Sequence, residues 1–292
     1  MRLFLAQPQE APSIGASCSH HLLRHSACRA CVDVCPMQAL TLVEGSITLT
    51  SEQCLRCGNC LFACPAGAIN GIHAPSRYYR QETLVAPLSL HPPDTAELLV
   101  WHRLYHIRAV ACDADKQPGW ALAVARLNLV LLKYQEPVWR LQPPVDPQIN
   151  IAKRALLPAG NNIVHSASVP TGKRLLRQLY PRFSETVVKV DPQRCLLCGA
   201  CTRVCPENVL RLTEHVFETE SVRCTACKNC LAVCPSQALT LEEGPKEAFI
   251  NQQALFTVRC PNCQRAFAAW ENESSLCPLC RQHQHGMRST CC

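Results

Sequence analysis

The sequence predicts an α+β protein in which two similar cysteine-rich modules flank a small α/β insert and a four-cysteine segment follows at the C-terminus. Three observations predict this arrangement. Twenty-three of the 292 residues are cysteines, most of them in C-x-x-C groups. Seven cysteines between positions 28 and 64 return between positions 198 and 234 with every spacing preserved, and residues 76–185 between them contain a single cysteine. We therefore divide the chain into residues 1–75, 76–185, 186–245 and 246–292.

The cysteine usage also indicates a compartment. C-x-x-C groups in a chain of this length are typical of metal sites in a reducing environment, whereas disulfide frameworks belong mostly to short secreted chains. The N-terminal stretch has no long apolar core and no twin-arginine pair, and no apolar run is long enough to span a bilayer. We expect a soluble, cytoplasmic protein.

The second cysteine-rich module contains two complete runs of the form C-x2-C-x2-C-x3-C-P. This double run resembles the bacterial two-cluster ferredoxins, in which the fourth cysteine of each run binds the cluster of the other run. The resemblance implies that one 4Fe-4S cluster takes Cys195, Cys198, Cys201 and Cys234, and that the other takes Cys224, Cys227, Cys230 and Cys205. A zinc cluster held by the same thiolates is the alternative, which the eight-cysteine arrangement disfavours.

The spacing within each run has a chemical reason. Two-residue gaps let successive thiolates and backbone N–H groups wrap one face of a cluster, and the longer gap turns the fourth thiolate toward the neighbouring cluster. The proline that follows ends the loop and begins a helical turn through its fixed φ. Gly58 and Gly199 lie inside these loops, where we expect positive φ or a close approach of the backbone to the cluster.

The first module repeats the second except at its first ligand, where the constant offset of the repeat leads from Cys195 to His25. Histidine can ligate iron in iron-sulfur clusters, but the thiolate of Cys18 is the softer donor that such clusters usually take. The resulting C-x9-C-x2-C-x3-C-P pattern is similar to ferredoxin-type proteins with an expanded first gap. We expect Cys18 to be the ligand, with His25 or a three-ligand cluster as alternatives. The two clusters would then be held by Cys18, Cys28, Cys31 and Cys64, and by Cys54, Cys57, Cys60 and Cys35.

The insert is predicted to form a β-α-β unit. "HIRAVAC" and "PVWRLQ" predict strands, and "GWALAVARLNLVLLKY" between them predicts a helix that begins near Pro118 and Gly119. "PTGKRLLRQLYPRF" predicts an amphipathic helix that leads to the second module, and it lacks the pattern of a phosphate-binding loop. Cys112 ends the first strand, and we expect a small buried thiol there rather than a functional group.

The C-terminal segment contains two C-x2-C knuckles in the pattern C-x2-C-x13-C-x2-C. This pattern resembles a zinc ribbon, which implies one tetrahedral zinc ion, with rubredoxin-type iron as the alternative. The ligands would be Cys260, Cys263, Cys277 and Cys280. The tail adds further metal-binding side chains that could sense or pass on metal, although a disordered end explains them as well. These are His283, His285, Cys291 and Cys292.

The positive formal charge does not predict a nucleic-acid partner. The value of +7 counts every cysteine as a neutral thiol, whereas a 4Fe-4S core with four thiolates carries a net charge of about −2. Four such clusters offset the excess of lysine and arginine. We therefore expect no nucleic acid as a partner.

The cysteine count is consistent with four 4Fe-4S clusters and one zinc ion, since only Cys112, Cys291 and Cys292 are left over. We expect two ferredoxin-like dicluster modules flanking the insert, with a C-terminal zinc ribbon, acting as an electron carrier rather than an enzyme. The two-module organisation is similar to ferredoxin-type proteins that accompany molybdenum oxidoreductases such as formate dehydrogenases, which implies a redox protein partner. A maturation factor for a metalloenzyme is the alternative, and a redox-responsive regulator is disfavoured because no helix-turn-helix is evident.

Overall fold

The structure is a computed structural model that describes residues 10–24, 26–144, 163–172, 175–273 and 276–283. The chain divides into two compact units. The first unit comprises the residues up to Arg24 and Cys28–Tyr180, and the second comprises Pro181–Cys292 together with the short stretch at residues 26 and 27. Helices and strands alternate in both units, which confirms the predicted mixed class.

The first cysteine-rich module is built from two antiparallel strand pairs and short helices. Its elements are β1 (Ser13–Ile14), α1 (Ser19–Leu22), α2 (Ala30–Asp33), β2 (Leu40–Val43), β3 (Ser46–Leu49), α3 (Asn59–Ala63) and β4 (Ile69–Asn70). β2 and β3 form a hairpin whose turn residues Glu44 and Gly45 both have positive φ, the geometry of a type I′ turn. β1 pairs with β4. Buried Leu40, Ile47 and Ile69 pack against the cysteine side chains.

The insert forms a five-stranded mixed sheet with two longer helices. Its elements are β5 (Arg77–Arg80), β6 (Thr83–Val85), α4 (Thr95–Leu104), β7 (Ala109–Ala111), α5 (Pro118–Lys133), β8 (Arg140–Gln142), β9 (His165–Ala167) and α6 (Leu175–Leu179). The strand order is β8-β7-β6-β5-β9, with β6, β7 and β8 parallel and β5 antiparallel to both of its neighbours. The predicted β-α-β unit is confirmed as β7, α5 and β8. The other three strands add to it on one side.

Helix α5 follows from its sequence. Pro118 occupies its first turn, where a fixed φ is favourable and no N–H is needed. Trp120, Val124, Leu127 and Leu131 recur at helical spacing and are buried. At 16 residues, α5 is shorter than the roughly 20 residues that a membrane span needs, and no helix in the described part of the chain is long and apolar enough to cross a membrane.

The helix predicted from "PTGKRLLRQLYPRF" is shorter than the pattern indicated. Only Leu175–Leu179 are helical as α6, and residues 173 and 174 lie outside the described part. The helix ends ahead of Pro181, since the residue before a proline is disfavoured in the α region. Tyr180 instead donates a hydrogen bond of 3.0 Å from its hydroxyl to the Leu99 carbonyl oxygen, which fixes the end of the insert to α4.

The second unit repeats the plan of the first module and adds a C-terminal hairpin. Its elements are β10 (Phe183–Val190), α7 (Ala200–Val204), β11 (Leu210–Leu212), β12 (Val216–Glu220), α8 (Asn229–Ala232), β13 (Leu239–Glu247), β14 (Ile250–Ala254), β15 (Phe256–Arg259), β16 (Ala266–Ala269) and α9 (Pro278–His283). β10 pairs with β13, β14 joins the β11-β12 hairpin, and β15 pairs with β16. Val188, Leu210, Phe217 and Leu239 form the buried core.

Candidate iron-sulfur and metal centres

Three cavities in the cysteine-rich modules are each lined by four cysteines. Aliphatic side chains such as Ile69, Leu40 and Val209 line the same cavities. The first is lined by Cys18, Cys28, Cys31 and Cys64, the second by Cys35, Cys54, Cys57 and Cys60, and the third by Cys205, Cys224, Cys227 and Cys230. Each set takes three cysteines from one run and the fourth from the neighbouring run, as the resemblance implies.

Electrostatic interactions link the four cysteines of the remaining predicted set. Burial raises the pKa of the Cys201 thiol to about 11, and negative charge on its neighbours Cys195, Cys198 and Cys234 contributes to this rise.

The raised pKa values of these thiols indicate that a cation is needed to keep them as thiolates. Burial, with a smaller contribution from neighbouring thiolates, raises the pKa of Cys31, Cys60 and Cys230 to about 12. Four thiolates cannot persist together in such a cavity without a cation to offset their repulsion. Iron supplies that charge, and soft thiolates in an apolar pocket are its usual ligands in clusters.

In each of three cluster loops, two residues have the positive φ of the left-handed conformation. Gly58 and Gly199 have φ of 82° and 70°, which confirms the expectation of positive φ at these glycines. Lys228 is the repeat equivalent of Gly58 and shares the conformation, so the repeat could have revealed it. Three further residues inside the first gaps also have positive φ, which no sequence signal indicated; they are Arg56, Leu197 and Ala226.

Backbone N–H groups approach several of the cysteine sulfurs. Ala226 N–H lies 3.5 Å from the Cys224 sulfur. The fourth cysteine of three runs likewise accepts an N–H from the residue four positions on, each at 3.3 Å; the pairs are Ala68 with Cys64, Val209 with Cys205, and Ala238 with Cys234. Hydrogen bonds to ligand sulfurs stabilise the more negative, reduced form of an iron-sulfur cluster and so tune its potential.

The strand registers locate the irregularity in the first module. Ile69 pairs with Ile14, and Leu239, the repeat equivalent of Ile69, pairs with Val190. If the offset between the cysteines also applied to the strands, the residue equivalent to Val190 would be at position 20. The residue that pairs with Ile69 is Ile14 instead, so the N-terminal strand of the first module lies nearer the N-terminus than the repeat predicts. Cys18 follows its strand by four positions and Cys195 follows its strand by five. Relative to the strands, Cys18 therefore corresponds closely to Cys195.

The extra residues form an ordered turn after Cys18. Cys18 N–H donates to the Gly15 carbonyl oxygen at 3.1 Å, and helix α1 follows directly. The buried ring of His20 lies between two carbonyl oxygens, with Nδ1 2.9 Å from Gly45 O and Nε2 2.7 Å from Cys28 O. The repeat leads to His25, which lies outside the described residues, whereas no sequence motif indicated His20, which connects the expanded loop to the β2-β3 turn.

The four C-terminal cysteines form a compact group of metal-binding geometry. All four sulfurs lie within 4.8 Å of one another, and those of Cys263 and Cys277 are 3.8 Å apart. The β15-β16 hairpin presents the first knuckle, and the second precedes and enters α9. N–H groups of Cys263 and Cys277 lower the pKa of the Cys260 thiol to about 6. Four thiolates at this spacing fit a tetrahedral soft metal ion.

The remaining predicted residues are spread elsewhere. Cys112 follows β7 and is 4% exposed, and burial followed by the neighbouring Asp113 raises its thiol pKa. This confirms the expected buried thiol. His283 ends α9, while His285, Cys291 and Cys292 lie outside the described residues.

Two protein-family models match parts of the chain. A 4Fe-4S dicluster domain matches residues 26–68, and a 4Fe-4S binding domain matches residues 187–210. The chain carries repeated ferredoxin-type 4Fe-4S domains. The first match contains seven of the eight cysteines of its module but begins after Cys18, and the second contains one of the two runs of the other ferredoxin-type module.

Short stretches of the chain are similar to curated proteins. Formate hydrogenlyase subunit 2 of Escherichia coli is 35% identical over 69 residues, which is 24% of this chain and 30% of that protein. Two uncharacterised ferredoxins of Methanocaldococcus jannaschii are 41% identical over 46 residues and 44% over 39 residues, covering 16% and 13% of this chain and 28% and 26% of their own lengths. The chain thus spans at most 30% of each of these relatives.

Proposed function

We propose that this protein is an electron carrier that relays electrons through four 4Fe-4S clusters between a donor protein and an acceptor protein. The observation that carries the proposal is the convergence of twelve cysteines into three crossed sets, and the repeat supports a fourth set in the second ferredoxin-type module. The proposed ligand sets are Cys18, Cys28, Cys31 and Cys64; Cys35, Cys54, Cys57 and Cys60; Cys195, Cys198, Cys201 and Cys234; and Cys205, Cys224, Cys227 and Cys230.

The chain's residues have defined tasks in this proposal. Each bound cluster supplies reversible one-electron chemistry. The thiolates hold it, and N–H groups such as those of Ala68 and Ala238 adjust the stability of its reduced form. Cys31 and Cys35 belong to different sets although they are four residues apart, a stretch of at most about 14 Å. Two clusters of one module would therefore be near enough for electron tunnelling.

The same ligand count supports a carrier rather than an enzyme. Every proposed set offers four thiolates, so each of the four irons of a cluster would have a protein ligand and none would be open to a substrate. For the C-terminal group we propose a structural zinc ion held by Cys260, Cys263, Cys277 and Cys280, because a closed shell of four thiolates is typical of structural zinc sites.

We propose an oxidoreductase complex as the partner. The similarity to a stretch of formate hydrogenlyase subunit 2 supports a component of a redox enzyme complex. A molybdenum oxidoreductase is the narrower hypothesis, and it rests on the resemblance of the two-module organisation to ferredoxin-type proteins that accompany such enzymes.

Anaerobic redox titration followed by electron paramagnetic resonance tests the proposed function. We expect reversible, low-potential couples and complete reduction by a physiological donor. Replacing Cys230 by alanine should alter one couple and leave the others, whereas Cys112→Ala, the matched control outside the sets, should alter none. Clusters that are transferred to an apo-protein without redox turnover would contradict the carrier and favour the maturation factor.

A further inference from the structure

We propose that Trp270 is a positioning residue through which the C-terminal hairpin sets the reduction potential of one cluster, the one proposed at Cys195, Cys198, Cys201 and Cys234. Through this residue, the four-cysteine metal group is coupled to that cluster. The inference rests on the proposed function and deepens it, because it assigns a regulatory contact to one of the four clusters.

Trp270 joins the hairpin to the second ferredoxin-type module. It follows β16 directly, and its indole Nε1–H donates to the Cys195 carbonyl oxygen at 3.2 Å. Its ring packs against the buried core of the module, with a centroid distance of 5.4 Å to the ring of Phe217.

A groove beside Trp270 lies between the loop that contains Cys195 and the C-terminal hairpin. One wall is the loop of residues 192–197, which contains Cys195, and the other wall is formed by the hairpin and the second knuckle. Leu276 and Pro278 of this second wall flank Cys277, and Phe267 packs against the four C-terminal cysteines. A metal ion bound to those cysteines would hold the wall, and with it Trp270, against the cluster loop.

The contact is specific to one of the four cysteine sets. The chain contains four tryptophans, and the indole groups of the other three donate elsewhere, to Glu97, Ser89 and His102 in the insert. Changes at Trp270 should therefore affect a single cluster.

The direction of the effect follows from charge. Reduction adds an electron to a cluster that is already negative, and a nearby N–H donor stabilises the added charge and raises the potential. Phenylalanine at position 270 keeps an aromatic ring against Phe217 but has no N–H. The affected potential should become more negative.

The test compares Trp270→Phe with Trp120→Phe in the full-length, cluster-loaded protein. Trp120 also donates one indole hydrogen bond to a carbonyl oxygen, that of Ser89, so the control removes a similar group in the insert. In redox titrations we expect Trp270→Phe to shift one couple to more negative potential, and this couple should be the one altered by Cys198→Ala. Trp120→Phe should shift none. An unchanged potential in Trp270→Phe, or equal shifts of several couples, would overturn the inference.

A second variant tests the coupling to the metal group. Cys277→Ala should abolish stoichiometric zinc binding and shift the same couple in the same direction, and the double variant with Trp270→Phe should add little further shift. Zinc loss without a shift in that couple would overturn the coupling. A wild-type protein without reversible couples would instead refute the proposed function itself, so the two failures are distinguishable.

Discussion

At the scale of single residues, the least regular feature is the first ligand of the first module. The repeat leads to His25, whereas the strand register matches Cys18 closely with Cys195, and Cys18 lines the same cavity as Cys28, Cys31 and Cys64. With Cys18 as the ligand, the module would keep a thiol at its first site through a longer loop after that thiol.

Removing the Cys18 thiol should cost the first module one cluster. Cys18→Ala leaves three thiols in a cavity built for four ligands, so we expect the loss of one cluster or its conversion to a three-iron form. Iron and sulfide analysis together with electron paramagnetic resonance would measure it. His25→Ala is the control and should keep all clusters; the opposite pattern would assign the ligand to His25.

His20 should stabilise this site without being a ligand. Its ring joins the carbonyl oxygens of Gly45 and Cys28, so His20→Ala removes two partly buried hydrogen-bond contacts at a cost of about 1–3 kcal/mol. We expect the variant to bind all of its clusters but to lose those of the first module faster than the unmodified protein during anaerobic incubation with a chelator. His21→Ala, at the exposed neighbouring position, is the matched control. Equal rates of loss in the two variants would argue against this role.

The proposed ligands in the cluster loops could be recognised in the sequence because iron-sulfur clusters favour cysteine thiolates and the cysteine spacing is regular. His20 could not, because its two partners are backbone carbonyl oxygens, one of them 25 positions along the chain. No side-chain pattern in a sequence records such a contact.

At the scale of elements, the cluster loops depend on left-handed backbone turns. Gly58 and Gly199 are equivalent in conformation but not in surroundings. A Cβ atom at Gly58 would lie 2.8 Å from Cδ of Pro75, whereas at Gly199 the nearest atom is 3.6 Å away.

The two glycines should therefore respond differently to alanine. Gly199→Ala carries only the cost of a left-handed residue, about 1–2 kcal/mol, while Gly58→Ala adds a steric clash and should destabilise its module by more than that. Urea titration followed through the visible absorption of the clusters would compare them. A Gly199→Ala variant as unstable as Gly58→Ala would be inconsistent with this geometry.

The insert is held by a buried ion pair between its sheet and α4. Arg77 and Glu97 are 6% and 0% exposed, and Arg77 Nη2 donates to Glu97 Oε2 at 2.8 Å in a two-point contact. Trp101 Nε1–H adds a third donor to this carboxylate at 3.3 Å.

Glu97→Gln should destabilise the insert strongly. The substitution leaves the Arg77 charge buried without its counter-charge, which costs about 3–5 kcal/mol. Asp33→Asn, which breaks the exposed pair of Asp33 with Arg29, should cost at most about 1 kcal/mol. Hydrogen exchange of the insert would report the first change and should be unaffected by the second. Similar protection in both variants would show that the buried pair contributes little.

The sequence predicted the helix and strands of the insert where their apolar pattern was clear. The 16 residues of α5 and the two strands around it were predicted because the apolar stripe and the fully buried strand β7 leave a clear pattern. Strands β5, β6 and β9 were not predicted, since segments such as "RYYR" and "HSA" have no apolar alternation and form strands by pairing with their neighbours.

At the scale of the whole molecule, the proposed centres would use all of the cysteines except Cys112, Cys291 and Cys292. Each module contains eight cysteines at the predicted positions, three crossed sets of four line cavities, and a separate group of four lies beside the C-terminal hairpin. The repeat made this organisation visible in the sequence. The groove beside Trp270 did not follow from the sequence, because it depends on where the hairpin packs within the second unit.

Metal and sulfide analysis of anaerobically purified protein tests the central claim most directly. Four 4Fe-4S clusters and one zinc ion predict about sixteen iron atoms, about sixteen sulfide ions and about one zinc ion per chain. A value near eight iron atoms per chain in fully loaded protein would contradict the four-cluster account.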